Sequence, residues 1–192
     1  MSDNTPSSNP EPLPTLSGQR LALRMLNEQD IDDLYRVFSS PEGLRYWSWP
    51  PYTQRQQAVA LYEDIIDCWQ QQSLFQWGIE HLESGRIMGT TTLASLDRSN
   101  GRCEIGFILH PDYWRQGMIS EALPLVINHA FGTLKMRRIE ADVDPANEAS
   151  LRTLERMGFQ REGLARERWQ VNGEIQDSVM LGLLHHEWPP AA

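Results

Sequence analysis

From Gln19 to Leu184 the apolar positions follow two rhythms, a period of two and a period of three to four, separated by Pro, Gly and Asn punctuation. Leu21, Leu23 and Met25 alternate with polar neighbours, predicting a first strand over Gln19 to Leu26. Asn27 and Asp30 offer capping side chains to a helix through Phe38, whose Ile31, Leu34 and Phe38 share one face. A second helix, Gln54 to Gln71, carries Leu61, Ile65, Cys68 and Trp69. Strands at Phe75 to His81, Arg86 to Leu96 and Arg102 to Leu109, with Ser84-Gly85 and Asn100-Gly101 between them, predict an antiparallel meander. Gly117 then opens a helix on which Ile119, Ala122, Val126 and Ala130 recur. A strand at Arg138 to Val143 follows, and a strand–helix–strand crossover implies a parallel pair.

Asn172-Gly173 is the strongest hairpin signal. A two-residue turn there sets Arg168 opposite Asp177, an ion pair contributing roughly 0.2–1 kcal/mol. Pro124 lies inside the helix after Gly117 and cannot donate to the Ser120 carbonyl, which predicts a bend near Ser120. The pattern gives an α/β class, with a mixed, mostly antiparallel sheet flanked by helices in one domain over residues 18–188. Met1 to Ser17 is rich in Pro, Ser and Asn without periodicity and reads as a flexible tail outside the fold.

A length of 192 residues suits one domain with a sizeable core. The formal net charge of −9 argues against a general nucleic-acid binder. No apolar run approaches the roughly 18 residues of a membrane span, and no basic-then-apolar leader is present. A cytoplasmic location is the expectation. Cys68 and Cys103 have no metal-ligand spacing and are expected to be reduced, partly buried thiols. His81, His110, His129, His185 and His186 form no ligand pattern with Cys or carboxylates, so no metal is expected. Walker A, GxGxxG and GxSxG motifs are absent, which leaves kinases, Rossmann dehydrogenases and serine hydrolases without support.

The chemistry concentrates between Leu109 and Phe131. A strand ends at Leu109, a loop turns through Pro111, and a helix starts after Gly117. Helix N-termini present unpartnered N–H groups and partial positive charge, so a diphosphate can lie across backbone where Gly117 lacks a Cβ. Arg115 adds a fixed charge. The plainer reading of Gly117 is a turn before a helix. Tyr46-Trp47-Ser48-Trp49-Pro50-Pro51-Tyr52 is the most aromatic stretch, and its prolines prevent a regular helix or central strand. It is either a loop packed on the core or a wall of a binding site.

Pro111, Tyr113-Trp114 and Gln116-Gly117-Met118-Ile119-Ser120-Glu121-Ala122 resemble motif A of the GNAT acetyltransferases. Asn147-Glu148-Ala149-Ser150, Arg156-Met157-Gly158-Phe159, Arg161-Glu162-Gly163 and Asn172-Gly173 are similar, in order and spacing, to the C-terminal half of their ribosomal-protein N-terminal acetyltransferase (RimJ/RimL-like) branch. The resemblance covers Leu21 to Leu184. It implies a GNAT fold and acetyl-CoA as cosubstrate. Contacts to that cosubstrate are implied for Ile108, Leu109 and His110, for Arg115, Gln116, Gly117, Met118, Ile119 and Ser120, and for Asn147. Trp47 and Trp49 fall where the family places acceptor contacts. The family pattern Q/R-x-x-G-x-G/A, set on Gly117, keeps only its central glycine, with Trp114 first and Ile119 last.

For such a reaction Glu104 is the chosen base. Period two puts Glu104, Gly106 and Ile108 on one strand face, and a partly desolvated glutamate beside a small residue can accept an ammonium proton. A surface carboxylate in a cross-strand pair is the plain alternative, and Glu162 is the second candidate. The tyrosine that many GNAT enzymes use as acid is replaced by Leu154. Ser150, a serine also in the RimL-like branch, or solvent is left to protonate the thiolate; Ser150 and Asn147 also suit helix capping. The preferred acceptor is the α-amino group of a protein or peptide N-terminus. Its pKa near 7.8, against about 10.4 for lysine, makes the neutral amine cost roughly 1 kcal/mol at pH 7 rather than about 4.6. Small amines such as polyamines or aminoglycosides are the alternative acceptors, and a non-catalytic acyl-CoA sensor is the alternative class. A homodimer closing the acceptor groove fits the sequence, though no segment demands it.

Overall fold

The computed structural model describes residues 12–189. The strands are β1 (Leu16–Ser17), β2 (Leu21–Arg24), β3 (Phe75–His81), β4 (Arg86–Asp97), β5 (Arg102–Leu109), β6 (Arg138–Val143), β7 (Gln160–Val171) and β8 (Glu174–Leu184). They form one sheet in the order β1-β2-β3-β4-β5-β6-β8-β7. Every pairing is antiparallel except β5 with β6, the pair that the crossover pattern implies. The helices are α1 (Ile31–Phe38), α2 (Arg55–Gln70), α3 (Met118–Asn128) and α4 (Glu148–Arg156).

Helices cover both faces. One apolar cluster joins α1, α2, Ile87 and Ile108, while the larger one joins α3 and α4 to Leu21, Leu23, Trp77, Ile79 and Ile139. Asn27 caps the short turn before α1 and shares a reciprocal capping box with Asp30. Asp30 also receives Arg24 Nη1 at 2.7 Å and Nη2 at 2.8 Å. Buried Asp33 on α1 takes the Arg86 guanidinium and the Ile87 N–H at 2.9 Å, fastening α1 to the start of β4. These carboxylates are satisfied on every side, as burial requires.

Three expectations are revised. The tail boundary at Ser17 lies too far along the chain: Leu16–Ser17 pairs with β2, Leu13 is in the core, and the Pro14 carbonyl accepts the Trp77 indole N–H at 2.9 Å. Proline removes the alternation that would have signalled this, and residues 1–11 lie outside the described residues. Arg168 does not pair with Asp177. A bulge between Ala165 and Trp169 sends Arg168 to Asp142, and Asp177 accepts the Glu167 N–H at 2.8 Å. At Pro124, α3 stays α-helical, and the irregularity is a π turn at His129–Thr133, more than two turns beyond Ser120, where it was expected.

The pair β5–β6 is short. Arg102, Cys103 and Glu104 face Arg138, Ile139 and Glu140, and past that point β6 gives β5 no further partner. On its other side β5 stays in register with β4 as far as Leu109 opposite Gly89. A Cβ on Gly89 would run into the Ile108 carbonyl and come within 2.9 Å of Leu109 Cα, both backbone atoms that cannot yield like a flexible side chain. Gly89→Ala is expected to cost about 1–3 kcal/mol by overpacking, read as a lower denaturant midpoint, and to weaken binding at the β5 end.

Candidate active site

Where β5 and β6 part, two cavities open and meet. The larger, about 640 Å³, reaches from Ile108 and Leu109 past Trp114, Arg115, Gly117 and Ser120 to Arg152 and Arg156 on α4. The smaller, about 420 Å³, contains Glu104, Gly106, Asp142, Trp49 and Trp169. Tyr46, Trp47, Phe107, Asn147 and Ser150 line both. A continuous groove thus passes the β5 end, with a glycine turn at one extremity and carboxylates at the other.

The glycine turn is built as its sequence requires. Gly117 has φ 77° and Arg115 φ 59°, so the backbone is left-handed twice before α3 begins. The loop is braced from beneath. Arg20 Nη1 donates to the Gln116 carbonyl at 2.8 Å, and Glu121 in the first turn of α3 accepts the Arg20 side chain and the backbone N–H groups of Gln19 and Arg20. Trp114 donates its indole N–H to the Leu109 carbonyl at 2.7 Å, tying the loop to the end of β5. This contact explains how a tryptophan serves at the first position of the altered motif.

Most of the expected cosubstrate contacts gather in the larger cavity: Ile108, Leu109, Arg115, Gly117, Met118, Ile119, Ser120 and Asn147. His110 and Gln116 are not among its lining residues. The His110 N–H bonds the Met88 carbonyl at 2.8 Å, and the Gln116 amide donates to the Asp112 carbonyl at 2.8 Å. Asn147 caps α4 through the Ser150 N–H at 3.2 Å, so capping and a place on the groove coincide. Arg115 joins no ion pair among the described residues, which suits an anion site in a chain where most guanidinium groups meet carboxylates.

In the smaller cavity Glu104 projects from the β5 face that carries Gly106 and Ile108. Burial pushes the Glu104 carboxyl above the ordinary glutamate range, the charge of Asp142 pushes it further, and Arg168 opposes. A Cβ on Gly106 would meet nothing within 4 Å, so the missing side chain leaves open space beside the carboxyl. Trp47 and Trp49 stand across, edge to face with centroids 5.3 Å apart, and Trp47 also meets Phe38 at 6.2 Å. Glu162 is elsewhere. It is held by Arg138, which lowers its pKa and occupies both carboxylate oxygens. Burial drives the Cys103 thiol up to about 12, leaving it a core residue.

A family model described as an acetyltransferase (GNAT) domain matches residues 20–160. The chain is a GNAT acetyltransferase. It is 34% identical to an uncharacterised N-acetyltransferase, YoaA, of Bacillus subtilis, over 89% of this chain and 97% of that one. It is 26% identical to the ribosomal protein uS5-alanine N-acetyltransferase of Escherichia coli, over 91% and 93%, in keeping with the RimJ/RimL-like branch. Similarity extends to the spermidine N(1)-acetyltransferase of Escherichia coli, 23% identical over 90% of both chains. A GCN5-related N-acetyltransferase from Brucella melitensis superposes with a TM-score of 0.83 at 26% identity, covering 95% of this chain and 83% of that one.

This GNAT enzyme is an acyltransferase, and the sensor reading loses its ground. Acetyl-CoA is the acetyl donor of the family, and the groove fits it: a glycine turn and Arg115 suit phosphates, and the unpartnered side of β5 suits an amide chain. No group of three or more His, Cys, Asp or Glu side chains that could hold a metal ion is found among the described residues, and no described helix is long and apolar enough to cross a membrane.

The shifted Glu104 has two consequences of opposite value. A carboxyl whose folded pKa exceeds its unfolded one binds more protons when folded, so its contribution to stability falls as pH rises through that window. Glu104→Gln is expected to raise the melting temperature at pH 7 while removing most of the turnover. A melting curve and a rate on the same preparation check both signs together.

Proposed function

We propose that the enzyme acetylates the α-amino group of a protein or peptide N-terminus by direct attack of the amine on the thioester of acetyl-CoA. The observation carrying this reading is the meeting of the two cavities at Phe107 and Ser150, with Glu104 inside the acceptor half. Bound acetyl-CoA supplies an activated acyl group. Glu104 takes one proton from the acceptor ammonium, directly or through water, and its raised pKa makes it a stronger base than a solvated glutamate. The amine nitrogen bonds the acyl carbon, the carbon–sulfur bond breaks, and the thiolate takes a proton from Ser150 or solvent, which is replaced by the second nitrogen proton shed as the amide forms.

Ser150 supports that last role by position, since its residue lines both halves of the groove. Leu154, at the place of the family's usual tyrosine, is buried in the core and offers no proton. The side of β5 that has no β6 partner offers backbone to the pantetheine arm, with the Leu109 carbonyl already taken by Trp114, and the glycine turn offers N–H groups to the diphosphate. An α-amine is the acceptor that a single carboxylate base serves best, because it gives up its proton about 2.6 pH units more easily than lysine. The uS5-alanine acetyltransferase among the relatives agrees with it.

A second reading has its own observation. Glu104, Asp142 and Asp144 make the acceptor cavity acidic, which also suits a polyamine, the substrate named for the spermidine relative. Thiol release from acetyl-CoA is to be measured against N-terminal peptides, their N-blocked forms, polyamines and aminoglycosides. Turnover with free N-terminal peptides, lost on blocking, is expected; turnover confined to polyamines would replace the proposed acceptor.

A further inference from the structure

Asp142 is a buried carboxylate whose donors come from an unexpected direction. It lies on β6, two residues beyond the last β5–β6 pair, Glu104 with Glu140. Residues paired across parallel strands point to the same side, so Asp142 shares the sheet face of Glu104, on the far side of the widening gap. Its side chain is only 7% exposed. Arg168 Nε donates to Oδ2 at 3.1 Å, and the Trp169 indole nitrogen lies 3.3 Å from both oxygens.

Both donors reach Asp142 because β7 is bulged. From the Asn172-Gly173 turn the hairpin pairs Val171 with Glu174, Gln170 with Ile175 and Trp169 with Gln176, and the next pair is Ala165 with Ser178. Arg166, Glu167 and Arg168 therefore stand against Asp177 alone. Glu167 takes φ 54°, and its N–H is received by Asp177. A bulge re-aims side chains, and this one carries Arg168 and Trp169 across β8 to β6. Trp169, Asp142 and Glu104 then line one cavity, facing Trp47 and Trp49.

We propose that Asp142 is a positioning residue for the acceptor: it seats Trp169 as the outer wall of the cavity and, with Glu104, holds the acceptor ammonium between two carboxylates. The inference rests on the reading of Glu104 as base and of an amine as acceptor. Trp169 adds an aromatic face to those of Trp47 and Trp49, and aromatic faces attract cations. Arg168 packs on the same indole, 5.5 Å from its centroid, and donates to Asp142, so the protein's own guanidinium meets the carboxylate that the acceptor ammonium would approach. The charges facing Glu104 are Glu140 and Asp142 on β6, Arg168 on β7 and Asp144 after β6; Arg102, on its own strand, is engaged by Asp97 and Glu140. Among the carboxylates acting on Glu104, Asp142 raises its pKa more than Glu140 does, although each is paired with an arginine.

Asp142→Asn keeps an oxygen for the Trp169 N–H and removes the charge. It is expected to raise the acceptor KM about tenfold while leaving acetyl-CoA affinity unchanged, as for loss of one close charge contact. Because the Asp142 charge raises the Glu104 pKa, the acid limb of kcat/KM moves to lower pH in the variant. Trp169→Phe, which retains a ring and loses the N–H, is expected to show a smaller rise in acceptor KM and no movement of the limb. A loss of kcat and melting temperature in Asp142→Asn, with acceptor KM and limb unmoved, would make Asp142 merely structural and overturn the proposal.

Calorimetry separates this outcome from failure of the acceptor reading. Spermidine and a tetrapeptide amide with a free N-terminus are titrated into protein saturated with CoA, beside the N-acetylated peptide. Weaker binding of the charged amines to Asp142→Asn than to the natural chain is expected even if neither amine is turned over. Equal binding by the two proteins, or no amine binding by either, sinks the inference whatever the rates show.

Discussion

The functional groove depends on the parting of β5 from β6 after Glu104. Two strands joined by a crossover would ordinarily continue as a ladder, and a ladder here would close the groove. They separate instead, so the gap-facing side of β5 has no strand partner from Ile105 to Leu109. The constraint is then passed outward: β4 fixes the opposite side of β5 through Gly89, Trp114 holds the Leu109 carbonyl, and α4 starts at Asn147 beside the opening. Backbone groups that a sheet would use internally become available to an amide-bearing ligand.

Charge in this acidic protein is arranged by role. Asp30 and Asp33 are saturated by guanidinium and backbone donors and serve to anchor α1 to its strands. Glu121 does the same for the glycine turn, joining the entry to β2 with the first turn of α3. Glu104 is the contrast. It is desolvated with no donor within hydrogen-bonding distance among the described residues, faces another carboxylate, and sits beside an open space left by glycine. Such a group opposes folding at neutral pH, and a desolvated carboxyl in a cleft is the kind of local cost that accompanies chemistry. Glu162, similar in the sequence, differs in being clasped by Arg138.

The sequence alone determined most of the elements, the sheet's mixed character and the glycine turn, because these follow from short-range physics: side-chain periodicity, capping and the steric freedom of glycine. Strands β3 and β6, the helix after Gly117 and the Asn172-Gly173 turn stand where that pattern put them. Period two also put Glu104, Gly106 and Ile108 on one face, and motif order identified the family. Tertiary structure alone decided which carboxylate is desolvated, which is paired, and what stands across the gap. Asp142 and Trp169 carry no local signal, since their contact spans two strands and a bulge that the hairpin turn does not announce. The same bulge undid the expected Arg168–Asp177 pair, and the β1 pairing undid the expected tail, because register and burial are set by partners far along the chain.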